Sequence, residues 1–100
     1  MAVRRTALFW VRLLDENLRE LVETRSFIGD IDEALDELKE EFRDCFPDEY
    51  DRKDQHFWAQ RRIDLCSIYQ SARVTVYDRV FDRQRIFQIE RISHFSDDPL

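Results

Sequence analysis

The sequence predicts an α+β domain in which an N-terminal antiparallel helical hairpin packs on a small C-terminal antiparallel β-sheet. Two observations indicate this class. In the first half of the chain, apolar residues recur at steps of three and four, as they do along one face of a helix. Beyond residue 71, branched and aromatic residues alternate with polar ones, as they do along a half-buried strand. The chain has 100 residues, a length that builds one core, so residues 1–100 are expected to form a single compact domain.

The first helix is predicted over residues 6–25. Thr6 can cap its N-terminus, because a threonine hydroxyl accepts a hydrogen bond from the first turn of a helix. Gly29 is the only glycine of the chain, and it can adopt the left-handed conformation that follows many helices. The apolar stripe of this helix is expected to comprise Trp10, Leu13, Leu14, Leu18, Leu21 and Val22.

The second helix is predicted over residues 30–46. Asp30 is a favourable N-cap, and Glu33, three residues later, completes a capping-box arrangement. Pro47 ends the helix, because proline cannot continue it. Its apolar stripe is expected to comprise Ile31, Ala34 or Leu35, Leu38, Phe42 and Cys45, and it would face the stripe of the first helix.

The β-rich part is predicted over about residues 60–93. The segment 57–69 fits either a short third helix or a strand, and we favour a strand. The segment 72–81 alternates in the manner of a strand, a turn follows at 82–84, and the last strand runs over 85–93. These elements form a hairpin that would receive the two helices on one face.

Charge is distributed unevenly along the chain. The formal net charge is −6, yet residues 30–54 hold twelve acidic and four basic residues, whereas residues 61–91 hold seven basic and four acidic residues. We therefore expect an acidic helical side and an arginine-bearing side. Overall acidity argues against nonspecific nucleic-acid binding, which depends on neutralising several phosphates. A protein partner is expected instead.

Several classes of function are excluded by composition. A single glycine excludes a glycine-rich phosphate loop, and no cofactor is expected. The carboxylates of residues 48–54 lack the spacing of a calcium loop, so no metal is expected either. No apolar run approaches the roughly 20 residues that cross a bilayer, and no signal peptide is recognised at the N-terminus. We therefore expect a cytoplasmic protein with no membrane partner, in which Cys45 and Cys66 are free, buried thiols.

The C-terminal stretch Arg73–Asp97 carries a family resemblance. It reads R-V-T-V-Y-D-R-V-F-D-R-Q-R-I-F-Q-I-E-R-I-S-H-F-S-D. With two predicted helices before it, this stretch resembles the RelE/ParE toxin superfamily of bacterial toxin–antitoxin systems, and it is nearer to ParE. In that group an arginine precedes a strand with a tyrosine, here Arg73 and Tyr77. The last strand of the group ends in an arginine, an aliphatic residue and a histidine, which Arg91 and His94 resemble.

The resemblance implies two different activities. RelE-like members cleave messenger RNA on the ribosome, and in this chain the candidate catalytic residues would be His94 for proton transfer and Arg91 and Arg73 for the developing phosphate charge. Phe95 follows His94 where many relatives have an arginine, which departs from that pattern. ParE-like members instead bind DNA gyrase and perform no catalysis, and an antitoxin neutralises both kinds. The candidate partner-binding residues are Arg73, Arg79, Arg91, His94 and Phe95.

The sequence leaves three functions open. We favour a toxin-like protein that binds a gyrase-like host protein and is neutralised by an antitoxin. The first alternative is a non-enzymatic inhibitor or interaction module, encoded by a phage or mobile element, that blocks a host protein machine. The second is a RelE-like messenger-RNA endoribonuclease. A structural role is also open for the candidate residues, with His94 hydrogen-bonded to backbone and Arg73 and Arg91 paired with the acidic helix.

Overall fold

The computed structural model describes residues 4–21 and 24–98, and in them five strands form one antiparallel sheet with three helices on one side. The strand order is β2-β1-β4-β3, and the short β5 pairs with the first residues of β1. The elements are β1 (Arg4–Asp15), β2 (Arg25–Gly29), α1 (Ile31–Cys45), α2 (Pro47–Asp51), α3 (Gln55–Cys66), β3 (Ser71–Asp78), β4 (Arg83–Arg91) and β5 (Ser96–Asp98).

The predicted N-terminal helical hairpin is wrong, because residues 6–25 contain most of β1 and the start of β2. These strands pair antiparallel, with Ala7 opposite Gly29 and Val11 opposite Arg25. The apolar residues of β1 occupy both faces of the sheet, since Phe9 and Leu14 are both fully buried. A strand with apolar residues on both faces also satisfies three- and four-residue spacing, and this produced the helix prediction. Val22, from the predicted stripe, lies outside the described residues.

The connection between β1 and β2 begins with a turn held by Asp15. Its carboxylate accepts hydrogen bonds from the backbone N–H groups of Asn17 at 2.8 Å and Arg19 at 2.9 Å. The bond from Arg19 is the main cause that lowers the pKa of the Asp15 carboxyl below its ordinary value of 3.8. Leu18 takes a left-handed φ of 64° within this turn, so the reversal does not need a glycine.

The second predicted helix is confirmed as α1. The Asp30 carboxylate accepts a hydrogen bond from the Glu33 N–H at 2.8 Å, as expected of an N-cap. Gly29 precedes this cap as the last residue of β2, and its φ is not left-handed. A Cβ on Gly29 would lie 2.9 Å from a Glu33 carboxylate oxygen and 3.1 Å from the Phe27 ring. The glycine therefore provides space between β2 and the first turn of α1.

The segment 57–69, for which we favoured a strand, is mostly helical, and that preference is wrong. Asp54 caps α3 by accepting a hydrogen bond from the Phe57 N–H at 2.9 Å. Trp58 and Leu65 are seven residues apart and are the buried residues of this helix. Two core residues that lie two helical turns apart are enough to pack a short helix against the sheet. They give only a weak periodic signal in the sequence.

The predicted C-terminal hairpin is confirmed as β3 and β4, which pair from Ser71 opposite Glu90 to Asp78 opposite Arg83. The turn expected at residues 82–84 instead lies between Asp78 and Arg83, because Arg83 and Gln84 belong to the ladder. At its turn, the Asp78 carboxylate accepts a hydrogen bond from the Val80 N–H at 3.0 Å. The other oxygen of Asp78 accepts a hydrogen bond from Arg85 Nε at 3.2 Å. Both side chains of this ion pair are largely buried. The turn is thus held by an aspartate where the sequence offered no glycine.

The core lies between the sheet and the helices and is rich in aromatic rings. The Phe42 ring of α1 lies 5.5 Å from the Phe87 ring of β4 and 6.2 Å from the Trp58 ring of α3. Phe9 stacks on Phe27 at 5.6 Å. Such ring pairs contribute about 0.5–1.5 kcal/mol each beyond the apolar area that they bury. None of the helices formed by the described residues is long and apolar enough to cross a membrane.

Candidate protein-binding surfaces

The sheet has two faces with different surroundings. Side chains alternate between them, and the register of β1, β4 and β3 assigns each residue to one face. We call the face against the helices the covered face; it carries Phe9, Val11, Phe87, Ile89, Val74 and Arg91. We call the opposite face the open face; it carries Leu8, Trp10, Arg12, Ile28, Arg73, Thr75, Tyr77, Gln88 and Glu90.

An apolar patch occupies one end of the open face. Leu8 lies opposite Ile28 across the strand pair, and the Ile92 N–H donates to the Leu8 carbonyl oxygen at 2.8 Å, which places Ile92 beside it. Trp10 follows two residues along β1 on the same face. Ile28 is 72% exposed, and Trp10 and Ile92 are each 39% exposed. We call Leu8, Trp10, Ile28 and Ile92 the apolar patch.

A polar cluster crosses the centre of the open face beside the apolar patch. Gln88 lies between Arg12 and Arg73 in the register of three neighbouring strands, and it is only 2% exposed. Arg73 Nε donates to Gln88 Oε1 at 2.5 Å, and the Gln88 amide donates to Glu90. Arg12 donates to Glu90 at 3.3 Å and to Glu20 at 3.1 Å. We call Arg12, Arg73, Gln88 and Glu90 the polar cluster.

The end of the open face that lies away from the apolar patch is not accessible to solvent. Leu14 and Ile86 face the same side as Arg12 and are buried beside the turn that follows β1. Tyr77, at the end of β3, is 52% exposed. The accessible part of the open face therefore runs from the apolar patch through the polar cluster to β3.

β3 forms one edge of the sheet. The Arg91 N–H donates to the Gln70 carbonyl oxygen at 2.7 Å, so residues 70 and 91 form a hydrogen-bonded pair. Hydrogen-bonded pairs alternate along an antiparallel ladder, so the even-numbered residues of β3 bond to β4. The backbone N–H and C=O groups that point away from the sheet belong to Ser71, Arg73, Thr75 and Tyr77.

Exposed apolar side chains flank both ends of β3. Ile68 and Tyr69 precede it with 88% and 78% exposure, and Val80 and Phe81 follow it with 85% and 60% exposure. A cleft of about 370 Å³ lies at its start, lined by Arg61, Asp64, Tyr69, Ser71 and Arg73. A second cleft, of about 310 Å³, lies at its end and is lined by Cys45, Phe46, Pro47, Asp48, Glu49, Arg52, Tyr77 and Arg79.

The structure does not bring the candidate catalytic residues together. Arg73 is on the open face, whereas Arg91 is on the covered face and only 9% exposed. The Arg91 guanidinium donates to the carbonyl oxygens of Leu65 at 3.4 Å and Ser93 at 2.9 Å. His94 is exposed on the segment between β4 and β5. In this arrangement His94, Arg91 and Arg73 therefore do not form a single site around a substrate.

The candidate partner-binding residues divide between two places. Arg91 and Phe95 lie together, with the guanidinium 4.8 Å above the Phe95 ring, and Arg5 lies over the same ring at 5.7 Å. Arg73 and Arg79 belong to β3 and the residue after it, and both are exposed. Arg79 forms no ion pair with any residue in the described ranges.

Sequence reasoning missed the residues that define the open face. The sequence predicts Trp10 in the apolar stripe of a helix and leaves Ile28 between the two predicted helices. Gln88 was not singled out, because a glutamine within a strand usually faces solvent. The continuous apolar run from Ala7 to Val11 was the available signal, because a short run of this kind is consistent with a strand that has apolar residues on both faces.

The described residues offer little for catalysis. A cleft of about 240 Å³ is lined by Val11, Arg12, Leu13, Arg25, Leu38, Glu41, Phe87 and Gln88, with neither a nucleophile nor a histidine. Partial burial, with Glu41 and Asp44 nearby, raises the pKa of the Cys45 thiol, which makes it a weaker nucleophile at neutral pH. In the described ranges no cluster of histidine, cysteine and acidic residues could hold a metal ion. Comparison with family models, curated proteins and solved structures finds no match to this chain.

Proposed function

We propose that this chain is a non-enzymatic protein-binding module whose open face binds a partner protein. The observation that carries the proposal is the one-sided arrangement of the helices. They cover one face of the sheet and leave the apolar patch and the charged side chains of the polar cluster partly exposed to solvent, over the buried Gln88. A contiguous apolar patch with a polar border is typical of a protein-binding surface.

The composition of the open face suits recognition of a protein. Trp10 and Tyr77 provide aromatic contact area, and Arg12 and Arg73 provide fixed donors for hydrogen bonds and ion pairs. Tryptophan, tyrosine and arginine are the residues that contribute most to binding energy in protein interfaces. The polar cluster is already ordered by hydrogen bonds within the sheet, so binding would cost little side-chain entropy there.

The arrangement of the candidate catalytic residues supports binding and not cleavage. Cleavage of RNA by its 2′-hydroxyl needs a proton acceptor, a proton donor and a cation around one phosphate. Arg91 is committed to two carbonyl oxygens and to Phe95, on the face opposite Arg73. A ribonuclease would therefore need a rearrangement of the sheet before these groups could act together.

Site-directed photo-crosslinking tests the proposal in cells that encode this chain. Ser26 is exposed and lies opposite Trp10, so Ser26→p-benzoylphenylalanine places a crosslinker on the open face. Ile63→p-benzoylphenylalanine is the matched control, since Ile63 is 60% exposed on α3. We expect a discrete protein adduct from position 26 and none from position 63.

The purified partner then allows a quantitative comparison. Ile28→Glu introduces a charge into the apolar patch, and we expect its Kd to rise by about tenfold or more, since burying an unpaired charge is costly. Ile63→Glu makes the same change outside the open face and should leave the Kd unchanged. Equal effects of the two variants, or equal adducts from positions 26 and 63, would contradict the proposal.

We propose, as the more specific form of this function, a toxin that acts by binding a host protein and is neutralised by an antitoxin. Its support is the stretch from Arg73 to Asp97, whose resemblance to the RelE/ParE superfamily includes Arg73 and Tyr77 on one strand. The predicted pair of helices before this stretch, which contributed to the resemblance, is replaced by a strand pair followed by helices. An inhibitor encoded by a phage or mobile element would use the same open face, and expression in bacteria separates the two forms.

A further inference from the structure

We propose that β3 is a self-association site, at which a second copy of this chain pairs antiparallel with β3 about a two-fold axis at Thr75. This inference concerns the edge of the sheet; it shares Arg73 and Tyr77 with the open face but does not involve the apolar patch. The occupant is a second copy because the edge is complementary to itself in hydrogen bonding and in apolar contact.

The hydrogen-bonding complementarity follows from the ladder. The outward N–H and C=O groups of Ser71, Arg73, Thr75 and Tyr77 are spaced along eight residues of extended chain. An antiparallel strand with the same spacing satisfies each of them. Edge strands of monomeric proteins are commonly short or interrupted by proline or a bulge, and β3 has neither a proline nor a bulge in its pairing with β4.

The two-fold axis sets the cross-strand pairs. Thr75 then lies opposite Thr75 of the second copy, and Arg73 lies opposite Tyr77. Threonine pairs are favourable between strands, and an arginine near a tyrosine ring gains a cation–π contact. Both Arg73 and Tyr77 are exposed in the single copy, so they are free to make this contact across the axis.

The same axis brings the exposed apolar ends of β3 together. The turn before β3 in one copy, with Ile68 and Tyr69, then lies near the turn after β3 in the other, with Val80 and Phe81. These four side chains are 60–88% exposed in the single copy. Burial of apolar area stabilises association by about 25 cal/mol per Å², so this pairing gives a reason for large apolar side chains at both ends of an edge strand.

The contact between the ends of β3 occurs twice by symmetry, as in any two-fold interface. A dimer of this kind presents two open faces on the same side of one continuous sheet.

Proline substitutions at the two edges of the sheet test the proposal. Thr75→Pro removes one outward N–H from β3, whereas Ser26→Pro removes an N–H from β2, the other edge strand. Proline is tolerated at such edge positions, and circular dichroism checks that both variants remain folded. In sedimentation equilibrium we expect wild type and Ser26→Pro to form dimers, and we expect Thr75→Pro to weaken dimerisation by about tenfold or more.

A disulfide across the axis tests the register and does not depend on proline. In a Cys45→Ser, Cys66→Ser background, Thr75→Cys places two thiols opposite each other, where the Cα separation of about 5.5 Å in a hydrogen-bonded pair suits a disulfide. We expect a covalent dimer on mild oxidation of Thr75→Cys and none with Arg73→Cys, whose opposite residue is Tyr77. A wild-type monomer at all concentrations, dimers that survive Thr75→Pro, or equal crosslinking of the two cysteine variants would overturn the proposal.

Discussion

Arg91 shows how a residue selected for its chemistry can serve the fold. The sequence placed it at the end of a strand, where we predicted a role in catalysis or partner binding. In the structure its guanidinium is inserted between the end of α3 and the chain after β4, and it donates to the carbonyl oxygens of Leu65 and Ser93. Phe95 stacks against it at 4.8 Å. These contacts join three segments at one corner of the molecule.

Replacement of Arg91 should therefore reduce stability. Arg91→Met keeps much of the side-chain volume and leaves two carbonyl oxygens without their donor, so we expect a loss of about 2 kcal/mol in the free energy of unfolding. Arg62→Met is the control, because Arg62 forms an exposed ion pair with Asp32 and its loss should cost about 0.5 kcal/mol or less. Urea denaturation measures both, and equal effects would contradict a structural role for Arg91.

The face occupied by each arginine could not be predicted from the sequence. Arg73 and Arg91 both lie in or at the end of strands, and their types and spacing allow a shared site. Which face each occupies depends on the register between β3 and β4, where Arg73 lies opposite Gln88. Gln88 and Arg91 are three residues apart, so their side chains point to opposite faces. A shift of register by one residue would have reversed this result.

At the scale of elements, local signals predicted α1 well. Asp30 and Glu33 are three residues apart, and the hydrogen bond that this spacing predicts is present. The buried residues Ala34, Leu35, Leu38 and Phe42 belong to the predicted stripe. Cys45, the last residue of that stripe, is exposed, as is Cys66, so the expectation of buried thiols is wrong. A cap and an amphipathic stripe depend only on residues within one helix, so the sequence contains all the information that they need.

The N-cap of α1 gives a prediction at this scale. Asp30→Ala removes the acceptor for the Glu33 N–H and also an ion pair with Arg4, so we expect a loss of about 1 kcal/mol in the free energy of unfolding. Asp36→Ala is the matched control, because Asp36 is exposed in the middle of the same helix. Thermal unfolding of the two variants measures the difference. An equal loss of unfolding free energy in Asp36→Ala would show that the net charge of the helix, and not the cap, is responsible.

β1 shows why the N-terminal prediction failed. Its residues satisfy a helical stripe and a strand with apolar residues on both faces equally well. The choice is made by partners far along the chain, since β1 pairs with β4 from Phe9 opposite Arg91 to Asp15 opposite Arg85. The spacing of apolar residues within 6–25 contains no information about these partners. This segment forms a strand and not a helix because both neighbouring strands of the sheet satisfy its backbone hydrogen bonds.

At the scale of the whole molecule, the acidic region of the sequence is partly paired with arginines from other parts of the chain. Arg25 of β2 contacts Glu37 at 2.5 Å and Glu41 at 2.7 Å, both on α1. Arg62 of α3 contacts Asp32 at 3.2 Å, and Arg4 contacts Asp30 and Glu33. The acidic helix is therefore partly neutralised within the described chain. The arginines of β3 do not contribute to this neutralisation, which leaves Arg73 and Arg79 for contacts with other molecules.

Expression in a bacterial host tests the toxin form of the proposed function at this scale. Because the candidate catalytic residues lie apart, we expect growth arrest with intact messenger RNA, and we expect His94→Ala to arrest growth as strongly as wild type. Growth curves and RNA gel analysis from the same cultures measure both results. Arrest accompanied by RNA cleavage that His94→Ala abolishes would favour the ribonuclease alternative. Unaffected growth would contradict the toxin form and favour an inhibitor of another host protein.

The sequence by itself determined the elements whose signals are local: helix α1 with its cap, the β3–β4 hairpin, and the charge difference between the two parts of the chain. Only the tertiary structure decided that the N-terminal segment is a strand pair, that residues 55–66 form a helix, and that Arg73 and Arg91 lie on opposite faces. The physical reason is that a helix satisfies its hydrogen bonds within one segment. A strand satisfies them through partners that may lie many residues away, and the faces of a sheet exist only after those partners have met.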